Sequence, residues 1–153
     1  MKILLPIDGS ELALHEVRFA LSLAAEGLKT EFLLANVQEP ASLYEIVTAH
    51  DPQVLENVSH AAGEHMLQPA LELLRQAGFD ADVAVVTGDP AHAVVDLVEE
   101  HACDLIIIGT HAMGLLRKAW SGSVALDLVK ASPVPVLVVK PPVPPEPAPE
   151  DTP

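Results

Sequence analysis

Five short apolar runs punctuate the chain: Lys2 to Ile7, Glu31 to Val37, Asp82 to Val86, Asp104 to Ile108 and Val134 to Val139. Each is separated from the next by a helical pattern or a long connection. The apolar character within them is near-continuous, which predicts strands of a parallel sheet covered on both faces; a wetted face would give alternation. After the first run, Ser10 stands as N-cap of a helix reaching about Gly27, with Leu14, Val17, Leu21, Ala24 and Leu28 at spacings of three and four. Gly27 suits its C-terminus. A second helical region runs from about Pro52 to Ala77 and contains Pro69, a residue that kinks or divides a helix. The third opens at Gly88-Asp89-Pro90, with proline at the first helical position, and presents Ala91, Val94, Val95 and Val98 as its buried face. The last opens at Gly122-Ser123 and ends near Ser132-Pro133. This alternation predicts an α/β, doubly wound parallel sheet with right-handed crossovers, whose ligands bind outside the carboxyl ends of the strands. Residues 38–52 are less periodic and are expected to form a mobile flap or short irregular helix near that edge.

Composition narrows the picture. At 153 residues the chain is long enough for one domain and too short for two of ordinary size. Only 3% of residues are aromatic, so the core must be built from Leu, Val, Ile and Ala. The formal charge is −14, with no Lys or Arg between Lys29 and Arg75, and such a surface repels nucleic-acid phosphates and anionic lipid. Neither nucleic acid nor membrane is an expected partner. The run Met1 to Pro6 is too short for a signal peptide and no stretch approaches the roughly 18 apolar residues of a membrane span, so a cytoplasmic location is expected. The single cysteine, Cys103, excludes an internal disulfide and fits a small buried side chain. From Pro141 to Pro153 there are seven prolines and three acidic residues, which predicts a disordered, partly polyproline II tail after a folded domain of residues 1–140.

Candidate chemistry concentrates after the fourth run. Leu105 to Ile108 stops at Gly109, and Gly109 to Ser123 carries His111, Arg117 and Lys118 with no carboxylate, a cationic island on an acidic protein. Glycines let backbone N–H groups approach an anion, a helix N-terminus adds partial positive charge, and Ser123 supplies a hydroxyl. This is the composition of a phosphate cradle. It is also compatible with a glycine-rich strand-to-helix turn that holds nothing. Glu56, His60 and Glu64 recur at four-residue spacing, as a metal site or, more simply, as a solvated helix face. Trp120 reads as a packing or interface residue.

The motifs Pro6-Ile7-Asp8-Gly9-Ser10, Thr87-Gly88-Asp89-Pro90-Ala91, Gly109 to Ser123 and Pro133-Val134-Pro135-Val136-Leu137-Val138-Val139-Lys140 occur in the order seen in the universal stress protein family, which the chain resembles over about residues 2 to 140. The resemblance implies a five-stranded parallel sheet of order 3-2-1-4-5, of the Rossmann-like, adenine nucleotide alpha hydrolase-like type, usually dimeric. Nucleotide-binding members hold ATP with Gly-x2-Gly-x9-Gly-Ser/Thr. Gly109, Gly122 and Ser123 match that pattern, while Ala112 replaces its second glycine and Gly114 keeps the loop glycine-rich. If position 112 needs a positive φ, alanine costs about 1–2 kcal/mol, roughly tenfold in affinity.

By the same resemblance Asp8 meets the adenine or ribose and its neighbour Pro6 is retained, Val37 offers backbone groups to the adenine edge and Ile108 lines the ring. Asp8 has a competing role as a helix cap. The nucleotide-contacting set implied is Pro6, Asp8, Val37, Ile108, Gly109, Thr110, His111, Gly114, Gly122, Ser123 and Val124, with ATP, with or without Mg2+, as cofactor and no catalytic or metal-ligating residue. The function implied is a cytoplasmic stress-response sensor that binds ATP and is not an enzyme beyond slow hydrolysis. The alternative is a dimeric interaction module with a degenerate loop. The last strand, followed by Pro141-Pro142, is expected at a sheet edge where a second copy pairs through residues 134–139. A phosphorylated receiver is disfavoured, because the first strand lacks the paired acidic residues that hold magnesium.

Overall fold

A computed structural model of the chain describes residues 1–110 and 122–143, with Gly122 and Ser123 described as backbone only. The elements run β1 (Lys2–Pro6), α1 (Glu11–Ala25), β2 (Glu31–Gln38), α2 (Leu43–Thr48), α3 (Pro52–Gln76), β3 (Ala81–Thr87), α4 (Pro90–Glu100), β4 (Leu105–Gly109), α5 (Gly122–Ala131) and β5 (Val136–Val139). All the strands pair in parallel, in the order β3-β2-β1-β4-β5. This is the α/β architecture and strand order expected from the sequence.

Successive strand residues feed opposite layers. Ile3, Leu5, Ile7, Phe32, Leu34 and Ile107 pack with α1 and α3, whereas Leu4, Leu33, Ala35, Ile106 and Ile108 pack with α4 and α5. Both-sided burial holds for β1, β2 and β4. It fails at the rims: β3 leaves Val83 51% exposed and β5 leaves Val138 37% exposed, because neither has a second strand beside it. The fifth strand also starts later than expected. Ser132 Oγ donates to the Val134 carbonyl at 2.8 Å and accepts from Val134 N–H at 3.1 Å, folding residues 132–134 into a turn before pairing begins at Val136.

The helices match in place but not always in face. Ser10 caps α1, accepting from Ala13 N–H at 3.3 Å. Gly27 (φ +106°) closes its other end, with the Leu28 N–H reaching the Leu23 carbonyl at 3.2 Å. The buried stripe of α1 is Ala13, Glu16, Val17 and Ala20; of the other expected positions, Leu14, Leu21 and Leu28 pack against it while partly exposed, and Ala24 is partly exposed. In α4, capped by Asp89 with Pro90 in its first turn, Leu97 replaces the expected Val95 and Ala91 in the buried set. Pro69 does not divide α3, which is continuous over 25 residues. The expected flap resolves into α2, a six-residue helix.

Candidate functional site at the β1–β4 edge

In this strand order the chain runs outward in opposite directions from β1 and β4, so their carboxyl ends mark the topological switch point. Two loops leave the sheet there: Ile7-Asp8-Gly9, and the segment that begins with Thr110. Leu4 stands opposite Ile106, which brings Pro6 level with Ile108 two residues further on. The structure therefore brings these two predicted site residues together.

The first loop is tied down from below. Ile7 N–H donates to the Ala35 carbonyl at 2.7 Å, and the Ile7 carbonyl accepts from Asn36 Nδ2 at 2.8 Å. Asn36 is 1% exposed, and its own Oδ1 accepts from Gln38 Nε2 at 2.6 Å. A buried amide satisfied in this way fixes its partners, because breaking the arrangement leaves a polar group without water. Gly63 of α3 makes room for it: a Cβ there would lie 2.8 Å from Asn36 Oδ1 and would overlap Val85. The next residue, Asp8, is half-buried and accepts at Oδ1 from Ser10 N–H (2.9 Å) and Ser10 Oγ (2.6 Å). Ser10 is thus the cap and Asp8 its brace, which refines the competing cap reading. Gly9 follows with φ +83°, a left-handed turn that favours glycine.

The second loop leaves β4 at Gly109. A Cβ here would lie 2.6 Å from Glu16 Oε1 and 2.7 Å from Leu12 Cγ, so the glycine is needed for α1 to approach β4. Thr110 N–H donates to the Val139 carbonyl at 3.0 Å and prolongs the sheet. Val37, Ile108 and Val124 are 5%, 3% and 8% exposed and belong to the layer under α4 and α5, where they form an apolar wall. His111, Ala112 and Gly114, with Arg117, Lys118 and Trp120, lie outside the described residues. Gly122 and Ser123 enter as the first backbone turn of α5, where helix N–H groups lack intrahelical partners.

Glu16 is the residue that sequence reading missed. It is 4% exposed, takes a backbone hydrogen bond from Gly109, and its Oε2 has no partner among the described residues. Burial drives its pKa up, the Gly109 hydrogen bond partly opposes this, and the Asp8 charge adds to the rise, leaving it pushed up to about 8. At neutral pH this carboxyl holds its proton. The available signal was a glutamate set between Ala13, Val17 and Ala20 at helical spacing. Asn36 carried a similar one, an amide inside the run Phe32 to Val37.

Elsewhere, burial raises the Cys103 thiol pKa, consistent with the inert side chain expected. His60 Nδ1 lies 3.6 Å from Glu64 Oε1 on an exposed helix face. No cluster of three potential metal ligands occurs among the described residues, and no helix among them is long and apolar enough to cross a membrane.

Comparison with known proteins supplies relatives. The pattern of the Universal stress protein family matches residues 1–140. Universal stress protein MJ0531 of Methanocaldococcus jannaschii is 27% identical over 141 residues, 92% of this chain and 82% of that protein. The solved structure of MJ0577 superposes with a TM-score of 0.72 at 30% identity, covering 92% of this chain and 96% of that one. Two more distant structures share the fold. One is a universal stress protein in complex with cAMP, with TM-score 0.63 and 24% identity over 91% of this chain and 95% of that one. The other is an Arabidopsis thaliana family protein with AMP bound, with TM-score 0.65 and 18% identity over 92% and 91%. With a family match that spans both loops and every strand, this chain belongs to the universal stress protein family.

Proposed function

We propose that this universal stress protein binds an adenine nucleotide, ATP with Mg2+, at the carboxyl edge of β1 and β4 and serves as a cytoplasmic sensor rather than a catalyst. The observation that carries the reading is that the Ile7-Asp8-Gly9 turn and Gly109-Thr110 leave adjacent strands, both tied to the sheet, at the topological switch point. Fold neighbours that hold cAMP and AMP support the choice of adenine nucleotide. In this reading Pro6, Val37, Ile108 and Val124 form the apolar side of the site and Asp8 meets the sugar or base. Gly109, Thr110, His111, Gly114, Gly122 and Ser123 face the phosphates.

Mg2+ bound with one or two carboxylates and the nucleotide's own phosphates suits such a site. Asp8, half-buried and braced by Ser10, is the carboxylate of the first loop. Glu16 is buried with its pKa pushed up to about 8, which suits it poorly to organising a hydrolytic water and favours binding over turnover. The exposed Val138 on edge strand β5 supports a homodimer through residues 134–139.

A second reading, an interaction module without nucleotide, draws on one observation. The absence of a side chain at Gly109 is accounted for by Leu12 and Glu16, so that glycine requires no ligand. Calorimetric titration of Mg-ATP into the full chain and into its Ala112→Gly variant separates the two. Micromolar binding by the unmodified chain is the expected result; binding by neither protein leaves the interaction module.

A further inference from the structure

Met66 of α3 lies under the first loop. A Cβ at Gly9 would stand 3.3 Å from its Cγ and 3.6 Å from its Sδ, so this side chain packs against the Ile7-Asp8-Gly9 turn. Asn36 Nδ2, which already donates to the Ile7 carbonyl at 2.8 Å, directs its second hydrogen to Met66 Sδ at 3.5 Å. Gln38 Nε2 divides its hydrogens in the same way, one to Asn36 Oδ1 at 2.6 Å and the other to Met66 Sδ at 3.8 Å. Two side-chain amides thus converge on one sulfur.

A thioether is a weak acceptor and Asn36 is 1% exposed, so a buried donor has a poor partner in this state. Filling the space under the turn needs only volume, which leucine supplies without two amides aimed at it. An oxygen on the sulfur is the acceptor that both donors lack. With N···O about 2.9 Å and a bent approach, sulfur and nitrogen stand roughly 4 Å apart in such an arrangement, and the unbranched methionine side chain can withdraw by the small difference. An oxidant has access, since Met66 is 37% exposed.

We propose that Met66 is an oxidation site: a hydroperoxide converts its thioether to the sulfoxide, whose oxygen the side-chain amides of Asn36 and Gln38 hold beneath the Ile7-Asp8-Gly9 turn. A sulfur lone pair attacks one peroxide oxygen and the O–O bond breaks. With hydrogen peroxide, the transferred oxygen gives its proton to the departing hydroxide, which leaves as water; sulfur loses two electrons and the peroxide gains them. Methionine sulfoxide reductases reverse such a step, so the site can cycle. The inference uses no part of the nucleotide reading, so the ATP titration and the test below fail separately.

The full chain is treated with hydrogen peroxide and each methionine is mapped by mass for an added oxygen. Met66→Leu, treated in parallel, reports what oxidation elsewhere in the chain, at Met1 and Met113 above all, does by itself. Expected are one added oxygen at Met66, a downfield shift of the Asn36 and Gln38 side-chain amide proton resonances, and a urea midpoint that treatment lowers no more than it does in Met66→Leu. In Gln38→Leu, which lacks one of the two donors, the same treatment should lower the midpoint by more than in the wild type. A methionine sulfoxide reductase should return the amide resonances to their starting positions. Met66 left unmodified while Met1 is oxidised would overturn the proposal. Unmoved amide resonances in the oxidised wild type would overturn it without recourse to any variant, and so would an equal fall in midpoint for wild type and Gln38→Leu.

Discussion

The carboxyl edge of this sheet has two halves built on opposite plans. Beneath β1 and β4, buried polar groups hold the loops: Asn36 binds the Ile7 carbonyl, Gly109 donates to Glu16, and glycines at 63 and 109 let helices close on them. Beyond β2 and β3, α2 is capped yet packs nothing away and shows its hydrophobic side chains to water. A ligand as small as a nucleotide needs donors held in place before it arrives, because ordering them on binding reduces affinity. A surface for a protein partner needs apolar area and tolerates motion. The contrast fits the proposed nucleotide at the braced half and leaves the open half with apolar side chains in water.

The sharpest way to break the contrast is at Glu16. Its folded-state pKa of about 8 lies above the unfolded value of 4.5, so the folded state binds the extra proton between these values. Stability is therefore greatest at the acidic end and falls as pH rises towards 8, by up to about 1.4 kcal/mol per pH unit from this group. Urea unfolding of wild type and Glu16→Gln at pH 5 and pH 8 should show the variant gaining roughly 3 kcal/mol relative to wild type across that interval. A parallel pH dependence in the two proteins would mean that Glu16 is ionised and solvated, and the rigid half less dry than described.

Gly63 comes next. Valine there drives a side chain into Val85 and Asn36, and a loss of about 2–3 kcal/mol in urea stability is expected from overpacking. An unchanged midpoint would show that the Asn36 arrangement yields. The smallest effect belongs to the open half. Ser42→Ala removes the α2 cap and should cost about 1 kcal/mol locally. Hydrogen exchange at Ile46 and Ala49, whose N–H groups bond the Ser42 and Glu45 carbonyls, should quicken while the global midpoint stays put. A drop in global stability would show that α2 is integrated into the fold after all.

Much of the fold was legible because its signals are local. The runs Ile3-Leu4-Leu5 and Ile106-Ile107-Ile108 declare central strands by composition alone, and Ser10, Asp89-Pro90 and Gly27 mark helix ends through their own backbone preferences. The edge strands were less legible. Val83 and Val138 carry the same apolar residues as the centre, and only the strand order reveals that one side has no neighbour. Of the candidate site, Pro6, Asp8, Ile108 and Gly109 lie at the carboxyl ends of β1 and β4, where their motifs put them. One reason for Gly109 could not be read from its neighbours: the space it leaves is filled by Leu12 and Glu16, on a helix nearly a hundred residues earlier.

The sequence by itself determined the class of fold, the helix caps and the edge at which the candidate site residues gather, because each follows from periodicity or from a residue's own conformational range. Tertiary structure decided which carboxylate loses its water, which amide holds the first loop and which helix is left uncovered. Burial, desolvation and close approach depend on residues far apart in the chain meeting across a sheet; the local pattern marks Glu16 and Asn36 as polar residues among apolar ones, and only the fold says what each of them meets.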